Sequence, residues 1–299
     1  MARKNYSFPD RETERQHFTS EKSLGNPAAC IYLGNGQTLS TDQMLAIARQ
    51  HKGFVSEVIY CSESSSADYK LIYYSSECEV DFCGHGTIAC MYSLIKSIAE
   101  LMEKSELVIE TNNKGNLIVY NRISEQDAVF ITAPEPKHIG TDLPSEIIAQ
   151  NLKLRSEQIC NQYPIDIIDA GLRTLIVPLT ALKDEVNVYP HEQQLKNFCL
   201  DHDIDIILIF TKEVQSTQNI AHTRVFAPRF GYLEDPATGS GNSAFGYYMI
   251  KNKLWDGTGT SIEQGNTGME FNIVKLITLD GKILFGGRAT ERIIGKYLI

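Results

Sequence analysis

The chain contains no uninterrupted apolar stretch of the ~18 residues that a helix needs to span a bilayer. Its first 25 residues are polar and charged, without the apolar centre of a secretory leader. Both absences lead to the expectation of a soluble, cytoplasmic protein with no membrane partner. Basic clusters are missing as well. The formal net charge is −9 and no Lys/Arg run is interleaved with aromatics, which argues against a nucleic-acid partner. There is no C-x-x-C pair, no His spacing suited to zinc and no dinucleotide-binding glycine fingerprint, so neither a metal nor an organic cofactor is expected. The seven cysteines (Cys30, Cys61, Cys78, Cys83, Cys90, Cys160 and Cys199) are odd in number and scattered; most read as small buried hydrophobes.

What is present is a repeat. An offset of 155 lays Cys83–Lys96 on Thr238–Lys251, with six of fourteen positions identical: Gly84/Gly239, Gly86/Gly241, Ala89/Ala244, Tyr92/Tyr247, Ile95/Ile250 and Lys96/Lys251. Ordinary composition would give about one match. Internal duplication follows, with two related domains that each carry a glycine turn leading into a helix. Paired glycines let the chain bend sharply and let backbone N–H groups approach a ligand closely. The following helix aims its free N–H groups and the positive end of its dipole at the same point. Two such turns acting together suit a small carboxylate. Cys83, as a thiol at a helix start, is expected to have its thiolate favoured.

The rest of the pattern places these turns. Ala28–Leu33, Ser56–Cys61 and Tyr69–Ser75 read as strands, and Ser40 caps a helix over 41–51. Residues 88–101 are apolar on nearly every side, the mark of a buried helix rather than an amphipathic one. Helices over 145–152 and 192–202, a very apolar strand over 205–210 and a buried helix over 242–253 repeat the theme. Many short strands with one buried helix per half do not suggest a parallel βαβ pattern. They predict an α+β fold of two similar β-rich domains, 1–125 and 126–299, each a curved, mostly antiparallel sheet or barrel around a central helix, with the C-terminal tail free to return to the first domain.

At this point a resemblance enters. Gly25-Asn26-Pro27-Ala28-Ala29, Ser56-Glu57, Cys83-Gly84-His85-Gly86-Thr87, Glu234-Asp235-Pro236-Ala237-Thr238-Gly239-Ser240, Glu263-Gln264-Gly265 and Gly286-Gly287-Arg288 occur in the order and at about the spacing of the PhzF-like family of phenazine biosynthesis. The Asp235 string is the most specific of these. The resemblance implies a diaminopimelate-epimerase-like fold with the active site in the cleft between two halves, and cofactor-independent isomerisation by proton transfer on a small carboxylate-bearing molecule, often in a homodimer. It implies that Glu57 shuttles the proton, that His85 and Asp235 bind and polarise the substrate, and that Gly84 and Ser240 hold its carboxylate. Gly86, Thr87, Gly239, Gly241 and Asn242 complete the expected substrate-binding set. A buried Glu57 is expected to have its pKa raised toward neutrality, so that one group can take and return a proton.

The chain departs from that pattern in two places. The segment before Gly25 does not match the family's usual opening strand. Residues 83–89 also resemble the first thiol turn of the proline racemases, but the partner position is Thr238 rather than a second cysteine. A single thiol facing a threonine is similar to the hydroxyproline-dehydratase branch. Cys83 therefore stands as an alternative base for dehydratase or epimerase chemistry, and a non-catalytic protein that binds small acids is a third reading.

Overall fold

A computed structural model describes residues 12–17, 25–34, 36–266 and 270–297. The expectations for the opening polar segment bear largely on 1–11 and 18–24, which lie outside these. The described chain groups into two compact units. The first comprises 12–17, 25–131 and 286–297, and the second 132–266 and 270–285.

In the first unit the strands lie in the order Ala289–Gly295, Glu12–His17, Asn26–Tyr32, Glu57–Glu63, Tyr69–Tyr74, Glu106–Thr111, Gly115–Arg122 and Ala128–Thr132. Residues 12–17 thus form a strand paired on both sides, with 26–32 and with 289–295. The place of the opening strand is filled although its sequence is atypical. In the second unit the order is Lys137–His138, Asp166–Asp169, Arg173–Pro178, Ile206–Thr211, Ala221–Phe226, Thr260–Gln264 and Asn272–Leu279.

The two orders share one scheme. Asn26–Tyr32 runs parallel to Glu57–Glu63, which is antiparallel to Tyr69–Tyr74, which is parallel to Glu106–Thr111. Arg173–Pro178, Ile206–Thr211, Ala221–Phe226 and Thr260–Gln264 repeat it. Even a two-residue strand is duplicated: Glu79–Val80 pairs with Tyr73–Tyr74, and Glu234–Asp235 pairs with Val225–Phe226. The sheets are mostly antiparallel, as expected, but each unit also holds two parallel pairs, which the sequence reading did not expect. Parallel neighbours cannot be joined by a tight turn and need a crossover, commonly a helix. The helices Thr41–Gln50 and Gly84–Ser97 are such crossovers in the first unit, as are Glu192–Asp201 and Gly239–Lys251 in the second. The short strands hid this, because the pairing partner of each lies beyond the next helix.

Local chemistry sets the elements. Ser40 caps Thr41–Gln50 in a reciprocal box with Gln43. Gly84–Ser97 packs against four or more strands of its own sheet, and Ile88, Leu94 and Ile95 have no exposed surface. Burial of each stabilises the unit by about 1.5–3 kcal/mol. This helix ends before Ile98, whose backbone turns extended (φ −128°), and Ala99–Met102 starts a new turn. The sequence pattern had run through that break because its apolar residues continue. A second core, built from Ile148, Leu152, Leu175, Leu195, Ile207 and Phe226 among others, seats Ser145–Leu152 and Glu192–Asp201 on the sheet of the second unit. Among the described residues no helix is long and apolar enough to cross a membrane.

Candidate active site

In the first unit three chemically active side chains meet. Glu57 opens its strand opposite Ala28, Cys83 is the N-cap of the central helix, and His85 lies in that helix's first turn. Nε2 of His85 is 3.2 Å from Oε2 of Glu57. The Cys83 thiol donates to the same carboxylate oxygen at 3.6 Å, and the two ring nitrogens of His85 lie 3.6 and 3.7 Å from Sγ. The Gly86 N–H donates to Sγ at 3.3 Å. Glu57 and His85 keep 20% and 14% of their side-chain surface exposed, enough to meet a small molecule.

The protonation states differ from those expected. Burial pushes the Glu57 carboxyl up, but the hydrogen bond and charge of His85, with the Cys83 contact, outweigh it and leave Glu57 below its ordinary value. Burial opposes a charge on His85, yet its hydrogen bonds to the Cys83 sulfur and to Glu57, with the charge of the Glu57 carboxylate, hold it above its ordinary value. The pair is a carboxylate against an imidazolium. The Cys83 thiol is raised by burial and by the Glu57 carboxylate, which outweigh His85 and the Gly86 N–H. The helix start does not favour a thiolate here, because burial, joined by the Glu57 carboxylate, outweighs the opposing pull of His85 and of the Gly86 N–H.

The glycines of this turn serve packing as well as access. A Cβ on Gly86 would sit 2.6 Å from Cδ1 of Ile59 and 2.9 Å from Sγ of Cys83, so only glycine lets the thiol cap the helix. Thr87 is fully buried. Its hydroxyl donates to the Cys83 carbonyl at 2.8 Å and meets the Tyr73 hydroxyl at 2.7 Å. The Thr87 hydroxyl therefore holds the turn. Gly84 is partly exposed.

The second turn is held differently. Thr238, the N-cap of Gly239–Lys251, makes no side-chain cap to the helix. The buried amide of Gln264 takes over. Its Oε1 accepts from Thr238 N at 3.0 Å and from Asn242 Nδ2 at 2.7 Å, and its Nε2 donates to the Asp235 carbonyl at 2.8 Å and to Thr238 Oγ1 at 3.2 Å. Asn242 is fully buried and also donates to the Thr238 carbonyl at 2.9 Å; like Thr87, it holds its turn. Ser240 is partly exposed, whereas Gly239 and Gly241 are buried. The N–H groups of these three residues, as the first of the helix, have no intrahelical acceptor. A Cβ on Gly239 would lie 2.2 Å from the Phe285 ring.

Asp235 is half-buried in its short strand, and its Oδ1 accepts from the Ala237 N–H at 3.3 Å, an Asx-type turn. Arg224 anchors that strand. It grips both carboxylate oxygens of the adjacent Glu234 at 2.9 and 2.8 Å and donates to the carbonyls of Glu185, Val186 and Val188. Sequence reading missed Arg224, and it noted Gln264 only within a family string. The available signal was polar residues inside otherwise apolar strands, Arg224 in Ala221–Phe226 and Gln264 at the end of Thr260–Gln264.

Chemically, the first turn offers a carboxylate base, an imidazolium beside it and a protonated thiol. The second offers free helix N–H groups with a carboxylate close by in sequence. Among the described residues, Glu57, Cys83 and His85 are also the group whose ligating atoms, all within 4.8 Å of one another, could hold a metal ion. The sequence expectation of no metal rested on linear spacing, which cannot register a glutamate 26 positions from the thiol.

The model of the phenazine biosynthesis-like protein family, PhzC-PhzF, matches residues 16–273. The chain belongs to that family. It is 31% identical over 238 residues to the uncharacterized isomerase YfhB of Bacillus subtilis, covering 78% of each chain. A PhzF-family phenazine biosynthesis protein of Bacillus anthracis superposes with a TM-score of 0.84 at 24% identity, over 97% of this chain and 99% of that one. A probable proline racemase from Agrobacterium radiobacter does so with a TM-score of 0.60 at 12% identity, over 97% and 93%. These likenesses show the diaminopimelate-epimerase-like fold, and this PhzF-family chain is an isomerase.

Proposed function

We propose that this PhzF-family isomerase moves a proton between two carbons of a small carboxylate-bearing substrate without a cofactor. The observation that carries the reading is the Glu57–His85 contact at 3.2 Å. It supports a Glu57 already ionised and able to take a proton from carbon, with an imidazolium beside it to offset the negative charge that builds up on the substrate. Glu57 then returns the proton to the second carbon, so no net proton is consumed. In the second unit, the N–H groups at the start of Gly239–Lys251 suit a small carboxylate, with Ser240 and Asp235 at the same turn. Removal of the proton by Cys83 ranks below this, because the thiol is held in its protonated form.

The test is proton NMR in deuterated buffer on small amino, hydroxy and cyclohexadiene carboxylic acids, with wild type, Glu57→Gln and Cys83→Ala. Deuterium uptake or double-bond migration that vanishes with Glu57→Gln and survives Cys83→Ala is the expected result. Water loss that depends on Cys83 would replace this reading with the dehydratase one. Saturable binding without exchange would replace it with that of a binding protein.

A further inference from the structure

A thiol sulfur, an imidazole nitrogen and a carboxylate oxygen converge at the first turn, at separations of 3.6 Å (Cys83 Sγ to Glu57 Oε2), 3.6 and 3.7 Å (Sγ to the two His85 nitrogens) and 3.2 Å (Nε2 to Oε2). A tetrahedral zinc ion, with bonds of about 2.3 Å to sulfur and about 2.0–2.1 Å to nitrogen and oxygen, spaces such donors about 3.4–3.6 Å apart. The three side chains therefore already stand near the corners of a zinc coordination shell. We infer that Glu57, Cys83 and His85 form a binding site for one thiophilic divalent cation, of which Zn²⁺ is the type, and that its occupation blocks the enzyme.

The donor set decides the class of ion. Sulfur and imidazole prefer zinc-like ions to magnesium or calcium, which take oxygen. Two of the donors sit on regular backbone: Glu57 on a strand paired on both sides and Cys83 at the cap of a buried helix. The Gly86 N–H on Sγ is the kind of outer contact that steadies a metal-bound thiolate. Nε2 of His85, 3.2 Å from Oε2 of Glu57 and 3.7 Å from Sγ, is the nitrogen set to complete the triangle. Binding releases one proton from the thiol and one from the imidazolium, while Glu57 enters as a carboxylate; the dication gains a thiolate, a neutral imidazole and a carboxylate, so charge and protons balance. The fourth position stays open to water or to an oxygen of a small acid. Binding of the ion stands on geometry alone. The block of turnover rests on the function proposed above, since the ion would occupy the proton-carrying oxygen of Glu57.

The test uses the full chain and Zn²⁺, in competition with a chromophoric chelator, with Cd²⁺ as a second probe whose thiolate bond absorbs in the ultraviolet. The expected result is one ion per wild-type chain and unchanged binding in Cys78→Ser, which alters an exposed thiol. Cys83→Ser, His85→Gln and Glu57→Gln should each weaken binding by about tenfold or more, the least that loss of even an outer contact costs. Circular dichroism identifies any variant that fails to fold, and near-isosteric Glu57→Gln keeps the test alive if Cys83→Ser does. Wild-type affinity no greater than that of Cys83→Ser, or loss of the ion in Cys78→Ser alone, overturns the site. Turnover of an acid at a rate that excess Zn²⁺ leaves unchanged, by a chain that takes no zinc from the chelator, sinks this inference and spares the isomerase mechanism. Zinc binding by a chain that, once stripped of the ion, exchanges no proton on any acid does the reverse.

Discussion

Glu57 and His85, 28 positions apart in the chain, form a carboxylate–imidazolium pair at 3.2 Å, each holding the other in its charged state. The arrangement differs from a lone buried glutamate in what it asks of pH. A raised carboxyl would be half-protonated near neutrality. This one is a ready base, and its partner's titration is moved to higher pH.

Removal of the base should remove the chemistry and little else. Glu57→Gln keeps the shape of the side chain and should lower kcat by about 10²–10⁴-fold, the usual worth of a positioned acid–base group, with a melting temperature within a few degrees of wild type. Deuterium incorporation followed by NMR checks the first, and a thermal melt the second.

The same pair contributes stability in a defined window. A depressed Glu57 contributes above its unfolded value near 4.5 and loses that contribution as pH falls through its lower folded pKa. A raised His85 contributes fully below its unfolded value near 6.5 and loses it as pH rises through its higher folded pKa. Both are in force together between these two unfolded values. The stability difference between wild type and Glu57→Gln, from urea midpoints, should therefore be largest from about pH 4.5 to 6.5 and should shrink on either side. A difference that grows steadily toward pH 9 would contradict the pairing.

Gln264 should matter beyond its size. Gln264→Leu leaves the Thr238 N–H and the Asn242 amide without their acceptor in a buried place, at a cost of about 2–4 kcal/mol. The affected backbone is the second glycine turn, so KM should rise along with the loss in urea midpoint. A variant with unchanged midpoint and KM would show that the turn is held by other contacts.

Gly239→Ala drives a methyl into the Phe285 ring. About 1–3 kcal/mol of overpacking is expected, and Phe285→Leu should recover part of it, because the two residues share one contact and their effects do not add. Denaturant titration of the two single variants and the double variant measures this.

Cys83 should alkylate slowly. It is 5% exposed with its thiol raised, whereas Cys78 is exposed. Iodoacetamide at neutral pH followed by mass spectrometry should mark Cys78 well before Cys83. Early loss of Cys83 would revive the thiolate reading.

The sequence by itself determined the duplicated plan: two glycine turns 155 positions apart, each leading into a helix apolar on all sides, among short strands. Such features are local, because turn chemistry and periodicity act over a few neighbouring residues and leave their mark on them. Only the tertiary structure decided that the central helices are crossovers between parallel strands, since pairing partners separated by a helix carry no local sign. It alone decided the charge states as well. Glu57 is depressed rather than raised, and Cys83 raised rather than depressed, because those shifts depend on distances of 3–4 Å between groups far apart in the chain, over which Coulomb and hydrogen-bond energies compete with desolvation. For the same reason Thr87 and Asn242, which share the motif with Gly84 and Ser240, turn inward to hold it. Which side of a turn faces a ligand is settled by what packs behind it.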